Sequence, residues 1–195
     1  MNYVAAMLVR DTRIEKGISL EELSYGICTR SYLSKIESGK VRMSYCLAEA
    51  LFYRLGMMVP DGIIAVTKSD RRRYNIKGEI SAKISSGNND IEDLLEEYKN
   101  CGKSMHKLEQ QYYEGYKAIV IPANKENLQN RLDKLIEALR YTMPDFDLES
   151  DLHGRLLTRE EIVFLTNISI TVFCIYENSK DNKLRYISYN IIIVS

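Results

Sequence analysis

The residues of this chain that could perform chemistry do not form a catalytic or metal-binding pattern. The four cysteines and two histidines are Cys28, Cys46, Cys101, Cys174, His106 and His153. They include no C-x-x-C pair and no cluster with metal-site spacing. The sequence also lacks a Gly-rich phosphate loop, a G-x-S-x-G motif and an H-E-x-x-H motif. Cys101 and His106 are near one another in sequence, but nothing else supports a nucleophilic pair. We therefore predict free buried thiols, no catalytic residue, no metal, no cofactor and no enzyme activity.

A different chemistry is indicated by residues 29–40, TRSYLSKIESGK. In a helix, Leu33 and Ile36 would point inward. The outward side and the first turn would carry Arg30, Ser31, Ser34 and Lys35. Cationic side chains donate to phosphates and to base acceptors, and hydroxyls can bind either. This stretch alone also fits an ordinary solvated surface helix.

The composition is ordinary for a soluble globular protein, and its charge is uneven. The 195 residues carry no formal net charge, with 45% hydrophobic and 28% charged residues. Residues 1–60 hold eight Lys and Arg against six Asp and Glu, whereas residues 90–97 hold five acidic residues and no basic one. No apolar run has the length of a membrane span, and the N-terminus does not have the order of a secretory signal. We predict a cytoplasmic protein with no membrane partner.

The elements that would position residues 29–40 are short helices with clear start and stop signals. A first helix over residues 3–16 ends at Gly17, and Ser19 with Glu22 forms a capping box for the next. Thr29 can cap a helix over 30–38 that ends at Gly39. Ser44 can cap a fourth helix, which places Leu47, Leu51 and Leu55 on one face before Gly56. Residues 1–60, closed by Pro60-Asp61-Gly62, are predicted to form an independent helix-turn-helix bundle.

Longer helices are predicted in the remainder of the chain, residues 61–195. The candidates cover 67–86, 90–101, 104–121, 125–141, 158–178 and 183–194. The clearest has Leu128, Leu132, Leu135 and Leu139 on one stripe. Starts near Asp90, Asn124 and Thr158 recur every 34 residues, which is typical of stacked helix–turn–helix repeats, although residues 142–157 are irregular. The predicted fold class is all-α, with the helix-turn-helix bundle followed by a tetratricopeptide-like solenoid.

Residues 16–44, KGISLEELSYGICTRSYLSKIESGKVRMS, resemble the helix-turn-helix domain of phage-repressor-type (XRE family) regulators. The resemblance covers residues 5–58. It implies that Arg30, Ser31, Tyr32 and Lys35 face the DNA major groove, and that Ser19, Lys40 and Arg42 approach phosphates. Thr29, which precedes this helix, is also predicted to bind DNA.

One further expectation concerns Glu37. It lies about 40° around the helix from Leu33, at the edge of the buried face, so it needs a partner. The family resemblance implies that this partner is Arg13, at the end of the first helix.

The second part resembles the repeat domain of the Rgg/PlcR/PrgX group of peptide-responsive regulators, through the segments 94–100, 107–118, 135–147 and 156–177. The resemblance implies a homodimer and a concave surface for a short signalling peptide, whose binding residues stay unassigned. Tyr98, Tyr112, Tyr113 and Tyr116 could contact such a peptide or pack between helices. The basic run Arg71-Arg72-Arg73 could reach DNA or pair with the acidic segment 90–97. The apolar C-terminus, YISYNIIIVS, indicates packing on another subunit or a shortened array.

Together these features predict a dimeric, sequence-specific DNA-binding transcriptional regulator, controlled by a signalling peptide bound in the repeat domain. The alternative is a helical-repeat interaction scaffold whose helix-turn-helix is a degenerate packing unit. The weak positive excess of residues 1–60 favours that alternative a little.

Overall fold

The computed structural model describes residues 2–60, 67–102 and 104–194, and within these ranges the protein is all-α, with ten helices and no strand. The helices are α1 (Asn2–Glu15), α2 (Leu20–Ser24), α3 (Arg30–Glu37), α4 (Tyr45–Arg54), α5 (Lys68–Ser85), α6 (Glu92–Asn100), α7 (Lys107–Ile119), α8 (Leu128–Leu139), α9 (Arg159–Ser179) and α10 (Asn182–Val194). This confirms the predicted all-α class.

The chain divides into two units. The first comprises the described residues up to Arg71 together with Arg155–Arg159, and the second comprises Arg72–Gly154 and the residues from Glu160 onward. The predicted turn at Pro60-Asp61-Gly62 and the predicted boundary after residue 60 fall at residues 61–66, which lie outside the described residues. That boundary stays a prediction.

The first unit has a core built from one face of each of its short helices. The fully buried aliphatic side chains come from all four helices and from the turn before α3, and they include Val9, Leu23, Ile27, Leu33, Ile36, Leu47 and Leu51. Helix starts are fixed locally: the side chain of Ser44 accepts a hydrogen bond from the Leu47 N–H, as predicted.

In the second unit, α7 and α8 pack against each other, and the leucine stripe of α8 is buried. Gly115 of α7 lies directly under the ring of Phe164 in α9, since a Cβ built on Gly115 would come within 2.1 Å of that ring. The close approach of α7 and α9 therefore depends on a residue with no side chain.

The tyrosines of α6 and α7 form a buried aromatic row. The ring centroids of Tyr98 and Tyr112 are 4.9 Å apart, those of Tyr112 and Tyr116 are 4.2 Å apart, and Tyr116 meets Phe164 edge-on at 6.0 Å. Tyr113 is also buried, and its hydroxyl donates to the Glu96 carboxylate. The interpretation in which these tyrosines pack between helices is confirmed, and the one in which they contact a peptide is wrong, because their rings are already covered.

The basic run of α5 is divided between surface and core. The Arg72 guanidinium donates to both carboxylate oxygens of Glu97, at 2.5 and 2.7 Å, as predicted for the acidic segment. Arg73 is buried and pairs with Glu109 of α7 while also donating to the backbone oxygens of Tyr98 and Ser104. Arg73 therefore connects α5, α6 and α7 within the second unit.

A second buried arginine closes the end of α7. Arg131 of α8 donates to the backbone oxygens of Ile119 and Ile121 and to side chains of α9, Asn167 and Thr171. Burial lowers the pKa of this guanidinium below its usual value. The contacts satisfy carbonyls that the end of a helix leaves without partners.

Several expectations for the second unit need adjustment. Helices α6, α8 and α9 begin at Glu92, Leu128 and Arg159, which are 36 and 31 residues apart, so the constant spacing of 34 residues is not kept. The repeat organisation of this unit stays a prediction. The four cysteines form no disulfide but are half-buried rather than fully buried. One helix of the described part, α9, is long and apolar enough to cross a membrane by length and composition alone, and 33% of its most apolar stretch is buried. The core helix of a soluble protein passes the same test, so a membrane protein is not indicated.

Candidate nucleic-acid interface

Helix α3 is defined by caps at both ends. Thr29 Oγ1 accepts a hydrogen bond from the Tyr32 N–H at 3.1 Å, which satisfies one of the free donors of the first turn. At the other end, Gly39 has a φ of +73° and donates to the Ile36 oxygen at 2.9 Å. A Cβ at Gly39 would come within 3.1 Å of the Tyr3 ring, so glycine also allows α1 to approach this end of α3.

The inner face of α3 is fixed by packing and by one ion pair. Leu33 and Ile36 are fully buried, and Glu37 is 7% exposed. Arg13 Nε and Nη2 donate to the two Glu37 carboxylate oxygens, both at 2.8 Å, and Arg13 Nη1 donates to the Ile18 oxygen at 2.9 Å. The Glu37 carboxylate raises the pKa of the Arg13 guanidinium above its usual value. The predicted partner of Glu37 is confirmed, and it ties α1 to α3.

The outer surface around α3 carries every residue predicted to bind DNA. All eight side chains are exposed, namely Ser19, Thr29, Arg30, Ser31, Tyr32, Lys35, Lys40 and Arg42. Ser34 lies on the same exposed face. Inward-facing Leu33 and Ile36 therefore set the orientation of the outward-facing polar residues.

Residues 29–42 carry a positive formal charge although the whole chain is neutral. Residues 29–42 contain four cations, Arg30, Lys35, Lys40 and Arg42, and one acid, Glu37, which is held by Arg13. Within the described ranges, none of the four cations forms an ion pair with a carboxylate. Their charge is therefore directed to solvent, where it is open to phosphates.

The start of α2 carries the predicted capping box. The capping box is present, with the Ser19 N–H donating to the Glu22 carboxylate at 2.7 Å and the Glu22 N–H donating to Ser19 Oγ at 3.1 Å. These hydrogen bonds hold the pKa of the Glu22 carboxyl below its usual value. Glu21 and Glu22 place negative charge in the first turn of this helix, which disfavours an anion at its N–H groups. Ser19 can still approach a phosphate through its exposed hydroxyl.

The sequence analysis missed Arg54, which stabilises the turn between α2 and α3 through hydrogen bonds to backbone oxygens. Arg54 is buried at the end of α4, and its Nη1 donates to the Leu23 oxygen at 3.2 Å and to the Tyr25 oxygen at 2.6 Å. Its position in the sequence could have revealed it. Arg54 comes seven residues, or two helical turns, after Leu47 and so lies on the same buried face, where a charged side chain needs buried acceptors. Tyr25 of the same turn is also covered by the Arg155 guanidinium, 5.7 Å from its ring centroid, and no local pattern indicated this contact.

The surroundings of Cys101 and His106, which are near one another in sequence, do not favour a nucleophilic pair. His106 is the N-cap of α7, where its Nδ1 accepts from the Leu108 N–H at 3.3 Å. Burial raises the pKa of the Cys101 thiol, which disfavours the reactive thiolate. Across the described ranges, no group of three or more His, Cys, Asp or Glu side chains could hold a metal ion.

The fold and this surface define an all-α protein that presents a capped, cationic helix to solvent. Its sequence matches no protein-family model and no curated protein. It is similar to a solved structure, the X-ray crystal structure of the Streptococcus dysgalactiae SHP pheromone receptor Rgg2, with 16% identity and a TM-score of 0.30 over 97% of this chain and 77% of that chain. A TM-score of 0.30 does not establish a shared fold, so the proposals below depend on the residues of this chain.

Proposed function

We propose that this protein is a sequence-specific DNA-binding transcriptional regulator of the XRE type, with α3 as its recognition helix. The observation that carries the proposal is the outer face of α3, where Arg30, Ser31, Tyr32 and Lys35 are exposed on a helix whose inner face is fixed by buried contacts. A helix that enters a major groove needs this combination, because its side chains must be available to the bases while its orientation stays constant.

The residues have separable roles. Arg30 and Lys35 would donate to guanine acceptors or phosphates, and Ser31 and Tyr32 would hydrogen-bond to base edges or the backbone. Lys40 and Arg42 lie beyond the C-terminal end of α3 and would neutralise phosphates. The uncharged hydroxyl groups of Ser19 and Thr29 would hydrogen-bond to phosphate oxygens. Binding would then depend strongly on salt concentration, because each neutralised phosphate releases counterions.

The second unit would provide dimerisation and control by a short signalling peptide. A dimer would place two α3 helices on the two half-sites of a palindrome, about 34 Å apart. The tetratricopeptide-like organisation of this unit remains part of the proposal, and so does its cytoplasmic location.

The test is selection of bound sequences from a random DNA pool with the full chain, followed by binding measurements on the selected site. We expect a palindromic site. Arg30→Ala or Lys35→Ala should weaken binding to that site by about 1–3 kcal/mol where a base contact is lost. Lys40→Ala should weaken binding to every DNA sequence about equally, and it should lower the slope of log affinity against log salt concentration by about one.

Lys125→Ala is the matched control, because Lys125 is an exposed lysine of the second unit. It should leave affinity and site preference unchanged. If Arg30→Ala and Lys35→Ala both behave like the control, α3 is not the recognition helix. If the pool yields no enriched sequence at moderate salt, the alternative of an interaction scaffold with a degenerate helix-turn-helix is favoured.

A further inference from the structure

A cavity of about 520 Å³ lies in the second unit, between the loop of residues 148–153 and helix α10. This volume is within the usual range for small-molecule sites. Three of its lining residues are buried aliphatic side chains, Leu152, Ile187 and Ile191, which provide an apolar surface. Leu148 and Tyr186 extend the apolar lining toward solvent.

The polar lining carries more negative than positive charge. It contains two carboxylates, Glu149 and Asp151, one ammonium, Lys183, and the imidazole of His153. Lys183 Nζ contacts Glu149 Oε1 at 2.5 Å, so this ion pair bridges the loop and α10 and is neutral as a whole. Asp151 adds a second carboxylate to the lining, outside this pair.

Asp151 is held in place by its own loop. Its Oδ1 accepts a hydrogen bond from the His153 N–H at 3.0 Å, which fixes the carboxylate at the cavity lining. That hydrogen bond uses one of the two carboxylate oxygens. The cationic group of a bound ligand could therefore pair with the Asp151 carboxylate while the Glu149–Lys183 ion pair stays intact.

We propose that this cavity binds a ligand in which an apolar group is joined to an ammonium. The apolar group would lie on Leu152, Ile187 and Ile191, and the ammonium would face Asp151. Two sources share this chemistry, the amino terminus of a short apolar peptide and a free aliphatic amine. The use of the site for sensing rests on the proposed function, whereas ligand binding itself does not.

Calorimetric titration of the full chain tests the proposal without DNA. The probes are leucyl-leucinamide, 3-methylbutylammonium and two uncharged counterparts, N-acetyl-leucyl-leucinamide and 3-methylbutanol. We expect at least one cationic probe to bind at least tenfold more tightly than its uncharged counterpart. Binding of the dipeptide alone identifies a peptide terminus as the ligand, and comparable binding of the amine identifies the simpler source.

Three variants locate the binding. Asp151→Asn should weaken the cationic probe about tenfold, whereas Asp147→Asn should not. Asp147 is a matched control because it belongs to the same loop and accepts the Glu149 N–H at 2.8 Å in the same way, yet it does not line the cavity. Lys183→Gln should strengthen binding several-fold, because it removes the opposing charge, and a gain cannot result from misfolding.

The proposal is overturned if no cationic probe binds, if charged and uncharged probes bind equally, or if Asp151→Asn and Asp147→Asn have the same effect while Lys183→Gln gives no gain. DNA binding, measured separately on the same preparation, distinguishes the two proposals. A protein that binds its DNA site but no probe retains the proposed regulator and loses this site.

Discussion

Breaking the ion pair between Arg13 and Glu37 should loosen α3 far more than breaking a surface ion pair. In Glu37→Ala, Arg13 would lose both hydrogen bonds to the carboxylate and keep the one to the Ile18 oxygen. The Arg13 side chain is 13% exposed, so most of the guanidinium would remain out of water with one acceptor. The cost therefore comes mainly from the charge left behind.

The size of this loss in the free energy of unfolding depends on how deeply the ion pair is buried. Removing one partner of a buried pair costs about 3–5 kcal/mol. Because Arg13 keeps the Ile18 oxygen and reaches solvent through its exposed part, we expect the lower end, about 3 kcal/mol. A domain with a free energy of unfolding of about 5–15 kcal/mol would lose a large share of its stability.

Hydrogen exchange measured by mass spectrometry can read this loss locally, in peptides that cover α1 and α3. A loss of about 3 kcal/mol corresponds to exchange more than a hundredfold faster where global opening limits the rate. Lys134→Ala is the control, because the Lys134–Glu137 pair is largely exposed, with side chains 52% and 61% accessible, and exposed ion pairs contribute little to stability.

A double variant separates two contributions to this loss, the attraction between Arg13 and Glu37 and the cost of leaving the Arg13 charge buried without its partner. Arg13→Met with Glu37→Leu removes both charges and should regain most of the protection that Glu37→Ala loses, since apolar replacement of a buried pair is often neutral or stabilising. The reasoning is refuted if Glu37→Ala changes exchange in α1 and α3 no more than Lys134→Ala changes it in α8. It is also refuted if the double variant is less protected than Glu37→Ala.

The local features of the first unit could be predicted from the sequence because they depend on residues a few positions apart. The caps at Ser19, Thr29 and Ser44 each require a hydroxyl and the N–H three residues later, and the structure has all three. The demand of Glu37 for a partner followed from helix geometry. The identity of that partner did not, and it came from the family resemblance.

Contacts between distant segments left little trace in local periodicity. Arg54, Arg73 and Arg131 each lie on a buried helix face and donate to backbone oxygens far away in sequence. Carbonyls at helix ends and turns occur in every sequence, so no residue type marks the acceptor. A cation at an apolar position shows that an acceptor is needed, but its location depends on the packing of whole helices.

The same limit applies to surfaces formed by two segments. The cavity of the second unit combines a loop that looked irregular in the sequence with an apolar helix that we interpreted as a subunit contact or the end of a shortened array. Each side has an ordinary local explanation. The combination of an apolar lining with the Asp151 carboxylate is visible only when loop and helix are seen together.

Two further predictions concern helix α7 and can be tested by the same exchange measurement. Gly115→Ala should destabilise the second unit by about 1–3 kcal/mol despite its better helix propensity, because its Cβ would collide with the Phe164 ring. Gly78→Ala, where the Cβ meets nothing within 4 Å, should instead stabilise α5 by up to about 1 kcal/mol, and equal effects would contradict the packing argument. The start of α7 should weaken in acid, because partial burial lowers the pKa of His106 below its usual value and only the neutral ring can accept the Leu108 N–H. Its contribution should be complete above the unfolded-state pKa of about 6.5 and be lost as pH falls through the lowered folded-state pKa. In His106→Asn, whose amide oxygen caps the helix at any pH, protection of α7 should no longer change over that range, and an unchanged pH dependence would show that another group is responsible.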